Sequence, residues 1–261
     1  MLSFRKPLTS LPSPLIAKDE QDFSNQLKDL PALVNIMTAY ALSEINKDDP
    51  NVRTAFEKTL KFARDRELDL TNENNKQILS KAYFWLGLSY LSSPTDCTKD
   101  KGSCLKAIDS YKSATQISPS EKFLEAYRLR ASLETSLEKF SAAIQTHTEL
   151  INIDPDSESA LEARGYRAHL FIRQKDFKRA AIDFQILCEK NPNDYELLHE
   201  LGKAQLLAGE PIKAQNTYHQ VKKLLKTDKS AIPKIITDLE LIAQEHLELR
   251  SNIRLIIVSL R

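Results

Sequence analysis

Apolar residues along this chain return every three or four positions. From about Asp22 to Asn46 they are Leu27, Leu30, Leu33, Val34, Met37, Tyr40, Ala41 and Ile45, a spacing that lines one face of a helix. Pro31 suits a first turn better than a helix middle, so this helix is expected to start near Leu30. A second helix is expected from Asp49-Pro50, with Val52, Ala55, Phe56, Leu60, Phe62 and Ala63 on its apolar side. Asp49 would cap it and Pro50 would open it. Asp69 to Lys76 is polar, holds Asn72, Asn74 and Asn75, and reads as a loop. Residues 1–20 carry Pro7, Pro12 and Pro14 and lack a period. They read as an extended arm or a disordered tail.

Beyond residue 80 the helical pattern repeats. Tyr83, Leu86, Gly87 and Tyr90 are followed by Ala107, Tyr111, Ala114 and Pro119. Phe140, Ala143, His147 and Pro155 echo the second half of that set, and Ala131 stands where Gly87 stood. Ala168, Phe171, Phe177, Ala180, Phe184 and Pro192 form a third copy; Leu201, Gly202, Ala214 and Tyr218 form a fourth. Ala107, Ala143, Ala180 and Ala214 recur near a ~34-residue period, with two or three extra residues at two junctions. A small residue at Gly87 lets the second helix lie against the first, and Ala107 answers it from the other side. An insert from about Ser93 to Ser103 splits the first copy; removing about eight residues would restore the period.

This set resembles the tetratricopeptide repeat (TPR). The resemblance implies an all-α, right-handed superhelical solenoid of TPR-like helical hairpins with capping helices. The expected organisation is an arm over 1–20, an N-terminal hairpin (a degenerate repeat or cap) over 21–79, four repeats over 80–228, and a C-terminal capping helix with an apolar tail over 229–261. Ile232-Pro233 should open one long amphipathic helix reaching Leu249. The tail residues Ile253, Leu255, Ile256, Ile257, Val258 and Leu260 would pack on that helix or the solenoid, or else serve docking or dimerisation.

Composition narrows the chemistry. The chain has 261 residues, 28% of them charged, and a net charge of +1, so no global charge steers it to nucleic acid or an anionic membrane. Its 5 glycines form no phosphate-cradling cluster. The apolar run Leu255 to Val258 is far short of the ~20 residues of a membrane span. The five histidines, His147, His169, His199, His219 and His246, show no ligand spacing; His169 and His199 could pair on a metal, but no third ligand accompanies them. Glu134 to Glu138 reads as a solvated face. No nucleophile, base or cofactor loop assembles, so neither catalysis nor a cofactor or metal is expected.

The 3 cysteines are an odd, low count, which argues against a disulfide framework and for a reducing compartment. Cys97 and Cys104 stand with six residues between them. They could close a loop, bind metal with outside ligands, be modified, or be ordinary loop cysteines. Cys188 reads as a small core residue. The expected location is cytoplasmic; the lack of acids before Asp19 leaves organelle targeting as the alternative.

The resemblance also implies a concave groove, lined by the first helix of each repeat, that holds a peptide from a partner. The register places Phe84, Leu88 and Leu91 at one end, then Arg128 and Ser132, then Tyr166, His169 and Arg173, then Glu196, His199 and Lys203. The family's carboxylate clamp does not carry over: its positions fall on Phe84, Leu88, Glu162 and Tyr166. An apolar end grading into a partly basic middle suits an amphipathic peptide, unless the N-terminal cap already covers Phe84 and Leu88. The implied function is a non-catalytic scaffold or adaptor. The alternatives are a self-assembling structural protein, homo-oligomeric through its tail, and a helical subunit of an enzyme complex.

Overall fold

The structure, a computed structural model, describes residues 53–54, 56–58, 60–61, 70–91, 97, 99–119, 124–227 and 229–261. The expected arm and the helix starting near Leu30 lie outside the described residues. Among the described residues there is no strand; ten α-helices follow the helical residues at 53–54, 56–58 and 60–61. They are α1 (Glu73–Ser89), α2 (Lys101–Ile117), α3 (Leu124–Ser136), α4 (Phe140–Ile153), α5 (Glu158–Arg173), α6 (Phe177–Lys190), α7 (Tyr195–Leu207), α8 (Pro211–Leu224), α9 (Ile232–Glu245) and α10 (Arg250–Leu260). From α1 to α8 each helix packs on the next in the chain. This is an all-α, TPR-like solenoid of helical hairpins.

Local sequence sets most helix starts. Asp100, Ser157, Asp176 and Asp194 each accept a backbone N–H of the first turn on their side chains, satisfying donors that the helix leaves orphaned. Pro211 opens α8, where its missing N–H is no loss. Asn72 does the same work for α1, accepting from the Asn74 N–H at 2.9 Å. The stretch expected as a loop up to Lys76 is therefore cap and first turn from Asn72 onward, with Asn75 buried. A polar first turn looks like a loop when the cap is not recognised.

The last three hairpins turn in the same way. Glu138, Lys175 and Gly209 have φ of 58°, 60° and 77°, each seven positions after the small residue of its first helix. The next residue reaches back to the helix: Lys139 N–H to Glu134 O at 2.8 Å, Asp176 N–H to Phe171 O at 2.8 Å, and Glu210 N–H to Gln205 O at 2.9 Å. That left-handed residue with its long backward bond is a Schellman closure, and only the fourth copy uses glycine for it.

Inside each hairpin the helices meet at the small residue. A Cβ on Gly87 would lie 2.5 Å from Tyr111 Cε1, and one on Gly202 would lie 2.6 Å from Tyr218 Cε2. At the same register the middle hairpins pair Ala131 with His147 and Ala168 with Phe184. Glycine goes with tyrosine, and alanine with histidine or phenylalanine. The marker residues Ala107, Ala143, Ala180 and Ala214 are all fully buried.

Both ends are covered. Phe56 and Leu60, on helical residues before α1, pack on Leu79, Ala82 and Leu86, and Arg53 donates to the Ser89 carbonyl. At the other end the expected long helix breaks at His246, passes through a 3-10 turn at Leu247–Leu249 and resumes as α10. The break lets α10 fold back onto α8 and α9. Ile253, Ile256, Ile257 and Leu260 are buried with Tyr218, Val221 and Leu239. Each such side chain gains ~1.5–3 kcal/mol by leaving water. Leu255 and Val258 face outward, 61% and 65% exposed.

Two stability outcomes follow from these contacts. Gly87→Leu is expected to lower the urea-unfolding free energy by typically 1–3 kcal/mol through overpacking against Tyr111; an unchanged midpoint would contradict the contact. Lys175→Gly is expected to raise it by about 1 kcal/mol or less, by relieving a left-handed non-glycine residue. A clear loss of stability would show that the turn needs the lysine itself.

Candidate functional site

The first-helix positions are not equally open. Phe84 sits half-buried, 5.8 Å between ring centroids from Tyr111 and 5.9 Å from Trp85. Leu88 and Leu91 are half-buried against Cys97, Cys104, Ile108, Tyr111, Ala126 and Leu133. Cys97 and Cys104 form a disulfide, and both are buried. This corrects the reading of ordinary loop cysteines. The count of three resolves into one bridge and one buried free thiol, Cys188, so the step from cysteine count to a reducing compartment loses its premise. The N-terminal apolar end is thus packed against Cys97, α2 and α3.

At the other end α9 lies over α7. His199 is buried, with Nδ1 3.0 Å from the Tyr218 hydroxyl and Nε2 3.2 Å from Asp238 Oδ2 of α9. Burial lowers its pKa, as does the nearby Lys203; Asp238 pulls the other way. With both ring nitrogens engaged, His199 and His169 do not make a ligand pair. Among the described residues no group of three His, Cys, Asp or Glu side chains could hold a metal. Lys203 is only one-fifth exposed and pairs with Glu200 at 2.5 Å.

The open surface is the middle, on α3 and α5. Arg128 and Ser132 are exposed on α3; Glu162, Tyr166, His169 and Arg173 are exposed on α5. Arg128 pairs with Glu162 across the two helices, a half-exposed contact worth about 0–1 kcal/mol. Tyr166 is 56% exposed, yet its ring is held: it stacks on His147 of α4 at 5.7 Å and 15°. His169 meets Phe184 edge-on at 5.3 Å. The Arg173 guanidinium lies over Phe140 at 5.6 Å and makes no ion pair among the described residues. The result is an aromatic ring on a buried support, with the Arg173 guanidinium and the His169 imidazole on the same helix.

A buried polar layer under this surface was not foreseen. Glu134, expected on a solvated face, is only 3% exposed. It accepts from Arg130 at 3.0 Å and from the Thr146 hydroxyl at 2.6 Å, and Arg130 reaches on to Glu149. Thr217 donates to Gln205 at 2.8 Å at the same register of the last hairpin. In the third hairpin Arg167 binds Asp183 through two bonds of 2.8 and 2.7 Å. The signal was present: Glu134 and Gln205 each stand twelve residues before a threonine, where the repeat pattern otherwise has an aromatic residue.

His147 belongs to this buried layer. Burial, then the charge of Arg167, push its pKa down to about 4. Below the unfolded value of about 6.5 the unfolded chain binds a proton that the folded chain refuses. Stability should therefore fall as pH drops from about 6.5 toward 4 and level off below, and His199 adds to the same slope. His147→Phe, which copies Phe184 of the next hairpin, is expected to remove up to about 3 kcal/mol of that pH dependence. Urea midpoints at pH 4.5 and 7.5 measure it, and an unchanged difference between them would contradict the assignment.

No family model and no curated protein matches this chain. Solved structures do. A crystal structure of MamA is 15% identical over 75% of this chain and 92% of that chain, with a TM-score of 0.48. YrrB, described as a TPR protein with an unusual peptide-binding site, is 16% identical over 80% of this chain and 92% of that chain, again at 0.48. A structure of Naa15/Naa10 bound to HypK-THB is 15% identical over 88% of this chain but 34% of that chain, at 0.47. At such distances the fold assignment rests on the chain's own hairpins. Among the described residues no helix is long and apolar enough to cross a membrane.

Proposed function

We propose that this chain is a non-catalytic protein-interaction scaffold that takes a peptide segment of a partner on the first-helix face of α3 and α5. The observation that carries the reading is Tyr166: a large ring left 56% exposed while stacked on a buried imidazole. A ring fixed in this way offers contact area at little further entropic cost, the usual property of an interface anchor. His169 and Arg173, which makes no ion pair among the described residues, supply polar contacts on the same helix, and Arg128 can exchange Glu162 for a partner group. Phe84, Leu88, Leu91, His199 and Lys203 are assigned to support at the two ends of the face, since each is half-buried or buried. The scaffold holds a partner by side-chain contact, and no step of chemistry is assigned to it.

Native affinity capture with mass spectrometry tests this when wild type is run beside Tyr166→Ala and Arg173→Glu. Both variants are expected to fold, because the positions are exposed, and to lose roughly tenfold of the captured partner, about 1.4 kcal/mol. Recovery of the same partners at wild-type levels by both variants would move the site off this face.

A second reading, self-assembly, is favoured by Leu255 and Val258 on the outer side of α10. Sedimentation of wild type against Leu255→Glu separates the two: a wild-type monomer at tens of micromolar excludes it.

A further inference from the structure

Positive charge gathers at the α8 to α10 end of the chain. Residues 211–261 hold nine lysines and arginines against five aspartates and glutamates, in a chain whose net charge is +1. Two of those acids are engaged, Asp238 by His199 and Glu248 by His246; Glu240 and Glu245 are exposed on α9. From Leu249 to Arg261 there is no acid. α10 sets this surplus around an apolar centre. Its inner side buries Ile253, Ile256, Ile257 and Leu260. On its outer side Leu255 and Val258, one turn apart, are 61% and 65% exposed. Arg250 and Arg254 share one edge of the helix by their spacing, with Arg261 just past its end. Arg250 Nε donates to the Ala243 carbonyl of α9 at 2.9 Å, so this edge borders α9. At the other edge Lys222 of α8 donates to the Ser259 carbonyl, and Lys226, four residues on, is exposed. Arg254 and Lys226 make no ion pair among the described residues.

We propose that the outer face of α10, with Lys222 and Lys226 of the α8 side beside it, is a peripheral docking site for an anionic lipid surface. Leu255 and Val258 enter the boundary between headgroups and acyl chains, and the cations on both edges meet the headgroup phosphates and carboxylates. Charge complementarity selects this occupant. The rim is cationic on two separate helices, and a sheet of anionic headgroups reaches both at once. A nucleic acid would use the cations and leave the leucine and valine in water. A second copy in a two-fold contact would set Arg254 against its like-charged counterpart. α10 has 11 residues, enough to lie in the interface and too few to span the bilayer. The face lies on the α8 side of the array, away from the first-helix face of α3 and α5, so a docked chain can still hold a partner there.

The full chain is sedimented with vesicles of phosphatidylcholine alone and of phosphatidylcholine with about one-third phosphatidylserine. Binding is expected to the anionic vesicles only, and to weaken as salt rises. Arg254→Glu/Lys226→Glu should lower the vesicle affinity roughly tenfold or more, and Leu255→Ser/Val258→Ser roughly tenfold. All four positions are exposed, so both variants should keep the wild-type urea midpoint, which is measured alongside. Tyr166→Ala should bind vesicles as wild type does, which separates this outcome from that of the first-helix face. Equal or absent binding to the two kinds of vesicle would overturn the proposal and leave the face to an acidic protein segment. Undiminished binding by Leu255→Ser/Val258→Ser would also overturn it, since charge alone would then be at work. So would a wild-type dimer without lipid that the same variant dissociates, which would give the face to a second copy.

Discussion

The distance at which the two helices of a hairpin can meet governs the rest of this molecule. At Gly87 and Gly202 the approach is closer than any side chain permits, because a tyrosine ring from the second helix occupies the space. Where the first helix carries Ala131 or Ala168, the facing ring is His147 or Phe184. That contact fixes how the first helix is rotated, and hence which of its residues face out. Tyr218 carries the constraint further. Its ring needs Gly202, and its hydroxyl meets His199, which in turn meets Asp238 of the C-terminal cap. A packing requirement inside one hairpin thereby helps to seat the cap that ends the array.

The buried polar pairs give the hairpins individuality. An array of near-identical apolar faces offers little reason for one helix to choose its own partner over another. Glu134 with Arg130 and Thr146, Gln205 with Thr217, and Asp183 with Arg167 supply different demands at the same register. Such groups add little net stability when matched, and removing one partner leaves a costly unpaired group. Mispaired hairpins would bear that cost, so the polar layer disfavours wrong pairings while the alanine and aromatic positions supply most of the packing.

What was legible in the sequence was whatever a single helix decides for itself. The register could be read because Gly87, Ala107, Ala143, Ala180 and Gly202 are small for reasons internal to one hairpin. Features that depend on another element were hidden. His199 looks like a groove residue until α9 covers it, and that depends on the chain breaking at His246. Glu134 looks solvated until Thr146 and Arg130 are seen beside it. The cysteines were misread because counting treats thiols as a population, whereas a bridge depends on two Cα atoms coming within 5.7 Å. Register alone, by contrast, puts Tyr166 on a first helix, and there it is 56% exposed. Its support by His147 was not visible, since His147 reads as an ordinary core residue.

The two ends of the array are closed by contacts of different kinds, and this bears on where a partner can reach. An apolar cluster that includes the Cys97–Cys104 bridge packs on the first hairpin and keeps Phe84, Leu88 and Leu91 half-buried. A hydrogen bond between His199 and Asp238 helps to hold α9 over α7, and its strength follows the protonation of one buried imidazole. Between them, Arg128, Tyr166, His169 and Arg173 need no such release, because nothing from either end lies over them among the described residues. Under the proposed scaffold role, a face open in its middle and closed at both ends favours a short segment of a partner over a long one. Lengthening the contact would require displacing side chains at one of the ends.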